Sequence, residues 1–158
     1  MQTTFTQGLS PSFYGKQPRS GVPVRVENGD IRTVGGYIAS ANTNTAKFGY
    51  ALYAAPAKPE AFFVGATASA TLFRGILLNQ NYVNEQLPAH ADYLLNNQPA
   101  AAVYEGTLWV SVADFANTPV GAKIGADTDG SLKVVASGEF GTVVERDEDT
   151  QRVALYLA

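Results

Sequence analysis

From Val22 onward the chain is a succession of short runs rich in β-branched and aromatic residues, each interrupted within a few positions by Gly, Pro, Asn or Asp. Such spacing has room for strands and turns but not for a series of crossover helices, so it points to an all-β fold. Val22, Val24 and Val26 alternate with Pro23, Arg25 and Glu27 ahead of an Asn28-Gly29-Asp30 turn. Pro23 marks a strand start or a sheet edge, because it has no N–H to give a ladder. Residues 31–39, 48–53, 62–64 and 72–78 read as further strands, and 54–61 as a connection broken by Pro56 and Pro59. Residues 102–104 lead toward a turn expected at Glu105-Gly106, and 107–112 follow with high β propensity. Residues 120–126 and 131–136 form a hairpin about Asp127-Thr128-Asp129-Gly130, and 141–145 and 152–157 another about the charged bend 146–151. In the last run Val153, Leu155 and Leu157 share one face. A small closed or nearly closed β barrel is the expected architecture, since closure hides edges that invite uncontrolled pairing.

Residues 1–21 differ in kind. Gly8, Pro11, Gly15, Pro18 and Gly21 break regular structure at short intervals. The segment reads as an extended N-terminal arm whose aromatic anchors, Phe5, Phe13 and Tyr14, order against a neighbouring chain. Residues 22–158 form the barrel domain, with an irregular insertion around 79–102. There Leu87, Ala91 and Leu95 have helical spacing and Pro88 would fall in the first turn, so a short helix competes with a loop.

The formal net charge of -3 conceals a division. Residues 1–84 carry seven basic and three acidic side chains, and residues 85–158 four basic and eleven acidic ones. A chain divided this way can lie between unlike surfaces or line up copies head to tail. Lys16, Arg19, Arg25 and Arg32 are too thinly spread for a phosphate-binding stripe, so direct nucleic-acid binding is not expected. Cysteine is absent, which removes disulfides, thiol nucleophiles and thiolate metal clusters. No apolar run approaches the roughly 20 residues of a membrane helix, and residues 1–21 carry no secretory signal pattern.

Chemistry finds little to work with. Asp127 and Asp129 flank Thr128 before Gly130, a pattern that suits a tight turn better than a calcium loop or a glycosidase pair. Glu145, Asp147, Glu148 and Asp149 read as a solvated bend. His90 is the only histidine, and zinc or triad chemistry lacks its partners. No catalytic residue, metal site or cofactor is expected. Trp109 lies on a strand that is apolar on both sides, which suits a core or a subunit contact; Tyr104 and Tyr156 likewise bury ring area while their hydroxyls reach an edge. A carbohydrate- or receptor-binding β module of a virion, with these aromatics exposed, is the alternative.

The ordered series Gly75-Ile-Leu-Leu, Val103-Tyr-Glu-Gly-Thr-Leu-Trp-Val-Ser-Val, Val120-Gly-Ala-Lys-Ile, Asp127-Thr-Asp-Gly and Arg152-Val-Ala-Leu-Tyr-Leu resembles tailed-bacteriophage capsid decoration proteins of the structural cement type. The resemblance spans roughly residues 22–158, and the polar start is similar to the family's arms. It implies a non-enzymatic protein, made in the host cytoplasm, that binds the outer surface of the expanded phage head. There it would stabilise contacts between major capsid subunits, with neighbouring copies of itself as further partners, trimers among the arrangements, and no membrane partner. Gly75, Glu105, Gly106, Trp109, Gly121 and Gly130 hold architectural positions under this likeness. Phe5, Phe13, Tyr14, Arg19, Tyr104, Trp109 and Tyr156 are the expected capsid or subunit contacts.

Overall fold

The computed structural model describes residues 20–23, 31–79 and 92–158. Among these, the strands are β1 (Val22–Pro23), β2 (Arg32–Ile38), β3 (Ala46–Lys47), β4 (Ala51–Ala55), β5 (Lys58–Val64), β6 (Leu72–Leu77), β7 (Tyr93–Leu94), β8 (Pro99–Val110), β9 (Lys123–Ala126), β10 (Leu132–Val134), β11 (Gly141–Asp147) and β12 (Arg152–Leu157). The described residues hold no α-helix, only a single 3-10 turn at Phe115–Asn117.

The twelve-residue β8 is the spine. Its first half pairs with β2 on one side and β6 on the other, and the path β8-β2-β5-β4-β6 returns to β8. This closes a five-stranded barrel, as the sequence led one to expect. The second half of β8 pairs instead with β12 and β1, and from β12 the sheet continues through β11 and β9 to β10. A single bridge, Val112 to Leu132, curls that second sheet back toward the end of β8.

Two cores follow from the alternation of side chains. Ile38, Phe48, Leu52, Phe62, Val64 and Leu77 pack inside the barrel with Ala100 and Ala102. Leu108, Val110, Ile124, Leu132, Val143, Val153, Leu155 and Leu157 fill the second core. Strands β4 and β6 serve both: Leu52 and Leu77 face into the barrel, while Ala51 and Ile76 face the second core. The barrel wall is therefore also one wall of its neighbour. Fully burying a side chain such as Phe62 contributes about 2–3 kcal/mol.

The expected turn at Glu105-Gly106 is not a turn: both residues lie within β8. What the pair marks is a change of partner. Arg32 pairs with Glu105 and Thr33 with Val103, which leaves Tyr104 as the extra residue of a bulge. Gly106, at φ 121, then pairs with Leu157. The extra residue inverts the alternation, so Val103 and Leu108 both reach the second core although one position is odd and the other even. The 54–61 segment also differs from expectation, forming a β4–β5 hairpin around Pro56 and Ala57. Pro59 is tolerated because it sits where the β4–β5 register is irregular, before β5 begins to pair with β2 at Ala61.

Within the 79–102 segment, Tyr93–Leu94 is not the end of a helix but a strand paired with Ala46–Lys47. Pro99 already begins β8. The rest of the expected helix, at 84–91, and the Asn28-Gly29-Asp30 turn lie outside the described residues.

Candidate interaction surfaces

The three downstream aromatics occupy two different situations. Trp109 is 5% exposed, and its Nε1 is buried without a hydrogen-bond partner. On its face of the sheet, Val22 and Ala154 are its neighbours in register, and both are buried. Tyr104 and Tyr156 are 44% and 46% exposed. Tyr156 stands beside Thr107 on the outer side of the second sheet, and Tyr104 is the bulge residue of β8. Phe5, Phe13, Tyr14 and Arg19 lie outside the described residues.

The carboxylates of the 127–130 segment do local work. Asp127 accepts the Thr128 N–H at 2.8 Å, and Asp129 accepts both the Ser131 N–H at 2.9 Å and its hydroxyl. The Ser131 hydroxyl, followed by its N–H, holds the Asp129 carboxyl below the usual range. Gly130 adopts φ 87, which closes the turn. The turn then docks on the barrel: Ala51 N–H donates to Gly130, and the Asn44 amide donates to Val64 and Thr128 carbonyls. Among the described residues no group of three His, Cys, Asp or Glu side chains could hold a metal ion. His90 is outside them.

A shallow cleft of about 440 Å³ opens among Lys47, Phe48, Tyr50, Asp92, Ser111 and Arg152. Ser20 crosses its edge, bonded to Ser111 at 2.8 Å and accepting from Arg152 at 3.3 Å. Its polar groups, Asn79 among them, come from six separate stretches of chain, which is why no motif signals it.

Residues 113–122 are held by contacts that no local sequence signal announces. Val120 was expected to open a strand, but β9 begins only at Lys123. Instead Arg146, on β11, donates to the carbonyls of Phe115 and Thr118, lies 4.0 Å over the Phe115 ring and pairs with Glu148 at 3.0 Å. Thr118 is buried and donates to the Asp114 carbonyl at 2.6 Å. Gly121 and Ala122 exchange hydrogen bonds with Val143. The loop is thus fastened at both ends, yet it displays Val120 at 59% exposure beside Val144 at 49%.

Charge follows the architecture. Residues 31–79, which supply four of the five barrel strands, carry Arg32, Lys47, Lys58 and Arg74 against Glu60 alone. Residues 106–158 carry four basic and eight acidic side chains.

Compared with known families, residues 9–156 match the one described as Structural cement protein (E217 gp24/Pam3 gp6). No curated protein matches the chain. The family match takes in nearly the whole chain, and the chain belongs to the structural cement proteins. A structural, capsid-associated role in a bacteriophage virion follows from that membership.

Proposed function

We propose that this member of the structural cement family binds the outer surface of the expanded phage head and ties neighbouring major capsid subunits together without catalysing a reaction. The observation that carries the reading is the family match over residues 9–156, which runs from within the expected arm to the penultimate residue of β12. The architecture supports it. A closed barrel sharing a wall with a second curled sheet resists shear, which suits a part that must transmit load between subunits. The exposed Tyr104 and Tyr156 offer aromatic contact area, whereas Trp109, on the same face of the second sheet as Tyr156, is buried. Residues 1–21, with Phe5, Phe13, Tyr14 and Arg19, supply a second attachment that occupies grooves on a neighbouring subunit. Many copies on a closed shell act together even where each binds modestly. Preference for the expanded lattice then shifts the shell toward its mature form by linkage.

The test is cosedimentation of the purified chain with expanded and unexpanded heads, followed by cryo-EM of the decorated particles. Saturable binding to expanded heads, with copies bridging capsid subunits, is expected. Deleting residues 2–20 should leave the CD spectrum unchanged and weaken attachment. Failure to decorate cognate expanded heads would overturn the proposal, and glycan-dependent binding in its place would favour the carbohydrate-binding alternative.

A further inference from the structure

The cleft beside Ser20 draws on both lobes. Phe48 and Tyr50, which pack on the barrel core, line it from one side. Ser111 and Arg152, just past the Val110–Val153 pair of β8 and β12, line it from the other. Phe48 and Asn79 are buried there, while Lys47, Asp92 and Ser111 are exposed. The Lys47 ammonium and the Asp92 carboxylate pair neither with each other nor with another described side chain. Arg152, by contrast, is occupied: it donates to Ser20, whose hydroxyl is bonded to that of Ser111. A hydrogen-bond chain that starts at a cation is polarised along its length. Ser20 therefore donates onward, and Ser111 keeps its own proton for the cleft.

These groups narrow the ligand. An anion drawn to Lys47 meets Asp92, and a cation drawn to Asp92 meets Lys47, so a strongly charged ligand loses on one side what it gains on the other. An extended peptide finds no free backbone edge. The N–H groups of Phe48, Gly49, Asn79 and Gly21 already donate to the carbonyls of Asp92, Leu77, Gly21 and Trp109. What matches is a neutral compound dense in hydroxyls, because a hydroxyl both donates to a carboxylate and accepts from an ammonium or a serine. The volume of about 440 Å³ lies within the range of small-molecule sites and holds about one or two sugar rings.

We propose that this cleft binds a neutral saccharide. Asp92 accepts from its hydroxyls, Lys47 and Ser111 donate to them, and Phe48 and Tyr50 give the carbon face of the ring an apolar wall. The site goes beyond attachment to the shell and belongs to the free chain, so its failure is distinguishable from failure to decorate heads. It is also separate from Tyr104 and Tyr156, which do not line the cleft. A ligand of so few atoms in an open cleft binds with a dissociation constant on the order of 1 mM. Many copies on one shell multiply such contacts.

The test is an NMR titration of the isotope-labelled full-length protein with lactose, maltose and N-acetylglucosamine. At least one of these sugars should shift the Phe48, Gly49, Asp92 and Ser111 amides saturably. Asp92→Ala and Lys47→Ala should each weaken that binding at least about tenfold, and Ser111→Ala about threefold. Tyr104→Ala should leave it unchanged. All four of these side chains are exposed, so spectra unaltered away from the substitution will show that the variants fold. Amides that stay still with all three sugars would overturn the proposal, as would native affinity in Asp92→Ala. Inorganic phosphate or a glutamate-rich peptide moving the same amides at lower concentration than the sugars would also overturn it, by showing that the cleft selects negative charge.

Discussion

The barrel and the second sheet solve the same problem with unequal thoroughness. The barrel is closed by ladders: β6 pairs with both β4 and β8, so no strand on the circuit lacks a neighbour. The second sheet closes on the Val112–Leu132 bridge and leaves the short β10 near an edge. The barrel segments 31–79 are predominantly basic and the second sheet predominantly acidic. One lobe is built as a rigid frame, and the other as a framed display of loops. The lesson is that stiffness and recognition need not share residues. The seam between them is nevertheless substantial. Phe73 of β6 stacks on Phe140 at 4.3 Å and meets Tyr53 edge-on at 5.5 Å, while the 127–130 turn rests on β4 and β5. Partial burial at this seam pushes the Tyr53 hydroxyl pKa up from its ordinary value.

The strongest way to break this comparison is to empty the barrel. Phe62→Ala should destabilise the protein by about 3–5 kcal/mol. If the shared wall couples the lobes, the loss will appear as one transition in denaturant, identical by far-UV CD and by Trp109 fluorescence. Trp109 is a useful reporter because it belongs to the part of β8 that pairs with β1 and β12. Two separated transitions would show the lobes to be independent and the seam cosmetic.

A sharper version compares glycines. Gly75 (φ 143) and Gly121 (φ 93) both occupy conformations that favour glycine. A Cβ on Gly75 would strike the Val103 backbone, whereas one on Gly121 meets nothing within 4 Å. Gly121→Ala should therefore cost about 1 kcal/mol from conformation alone. Gly75→Ala should cost several times that, since β6 or β8 must shift and barrel closure depends on their pairing. Thermal unfolding of the two variants checks this, and similar losses would mean that the barrel yields more readily than its ladders imply.

The sequence made the strand-rich class, the D-T-D-G turn and the division of charge legible, because each is written in neighbouring residues. Gly130 closes its turn as local chemistry requires. What was illegible depended on distant partners. Glu105-Gly106 resembles a reversal, and only the pairing of β8 with β2, β6 and β12 reveals a bulge and a handover. Residues 120–126 read as one strand, yet β9 begins only at Lys123, because the preceding loop is held by Arg146, more than 20 positions later, through the Phe115 and Thr118 carbonyls. The cleft around Ser20 gathers six stretches and had no motif to announce it. Tyr104 and Trp109 were singled out alike by residue type, but burial separates them: Tyr104 is 44% exposed and Trp109 5%. That separation arises from the register and the bulge, neither of which composition encodes.

The smallest expected effect tests the seam by pH. Asp129 is held below the usual carboxylate range by the Ser131 hydroxyl and N–H, so its charged form is favoured in the folded state. A lowered native pKa contributes stability above the ordinary carboxylate value of about 4, and that contribution disappears as the pH falls through the lowered native value. Asp129 is exposed, so solvent screening keeps the whole effect below about 1 kcal/mol. Its location gives it more consequence than its size suggests, because Gly130 carries the carbonyl that receives the Ala51 N–H. Acidification should therefore lower the protection of the Ala51 and Gly65 amides, measured against intrinsic exchange at the same pH, before it affects Leu52 or Phe62 inside the barrel. Ser131→Ala should bring the same loss of protection at neutral pH and remove much of its dependence on acid. Protection lost uniformly across β4 would mean that the turn rests against the barrel without bracing it.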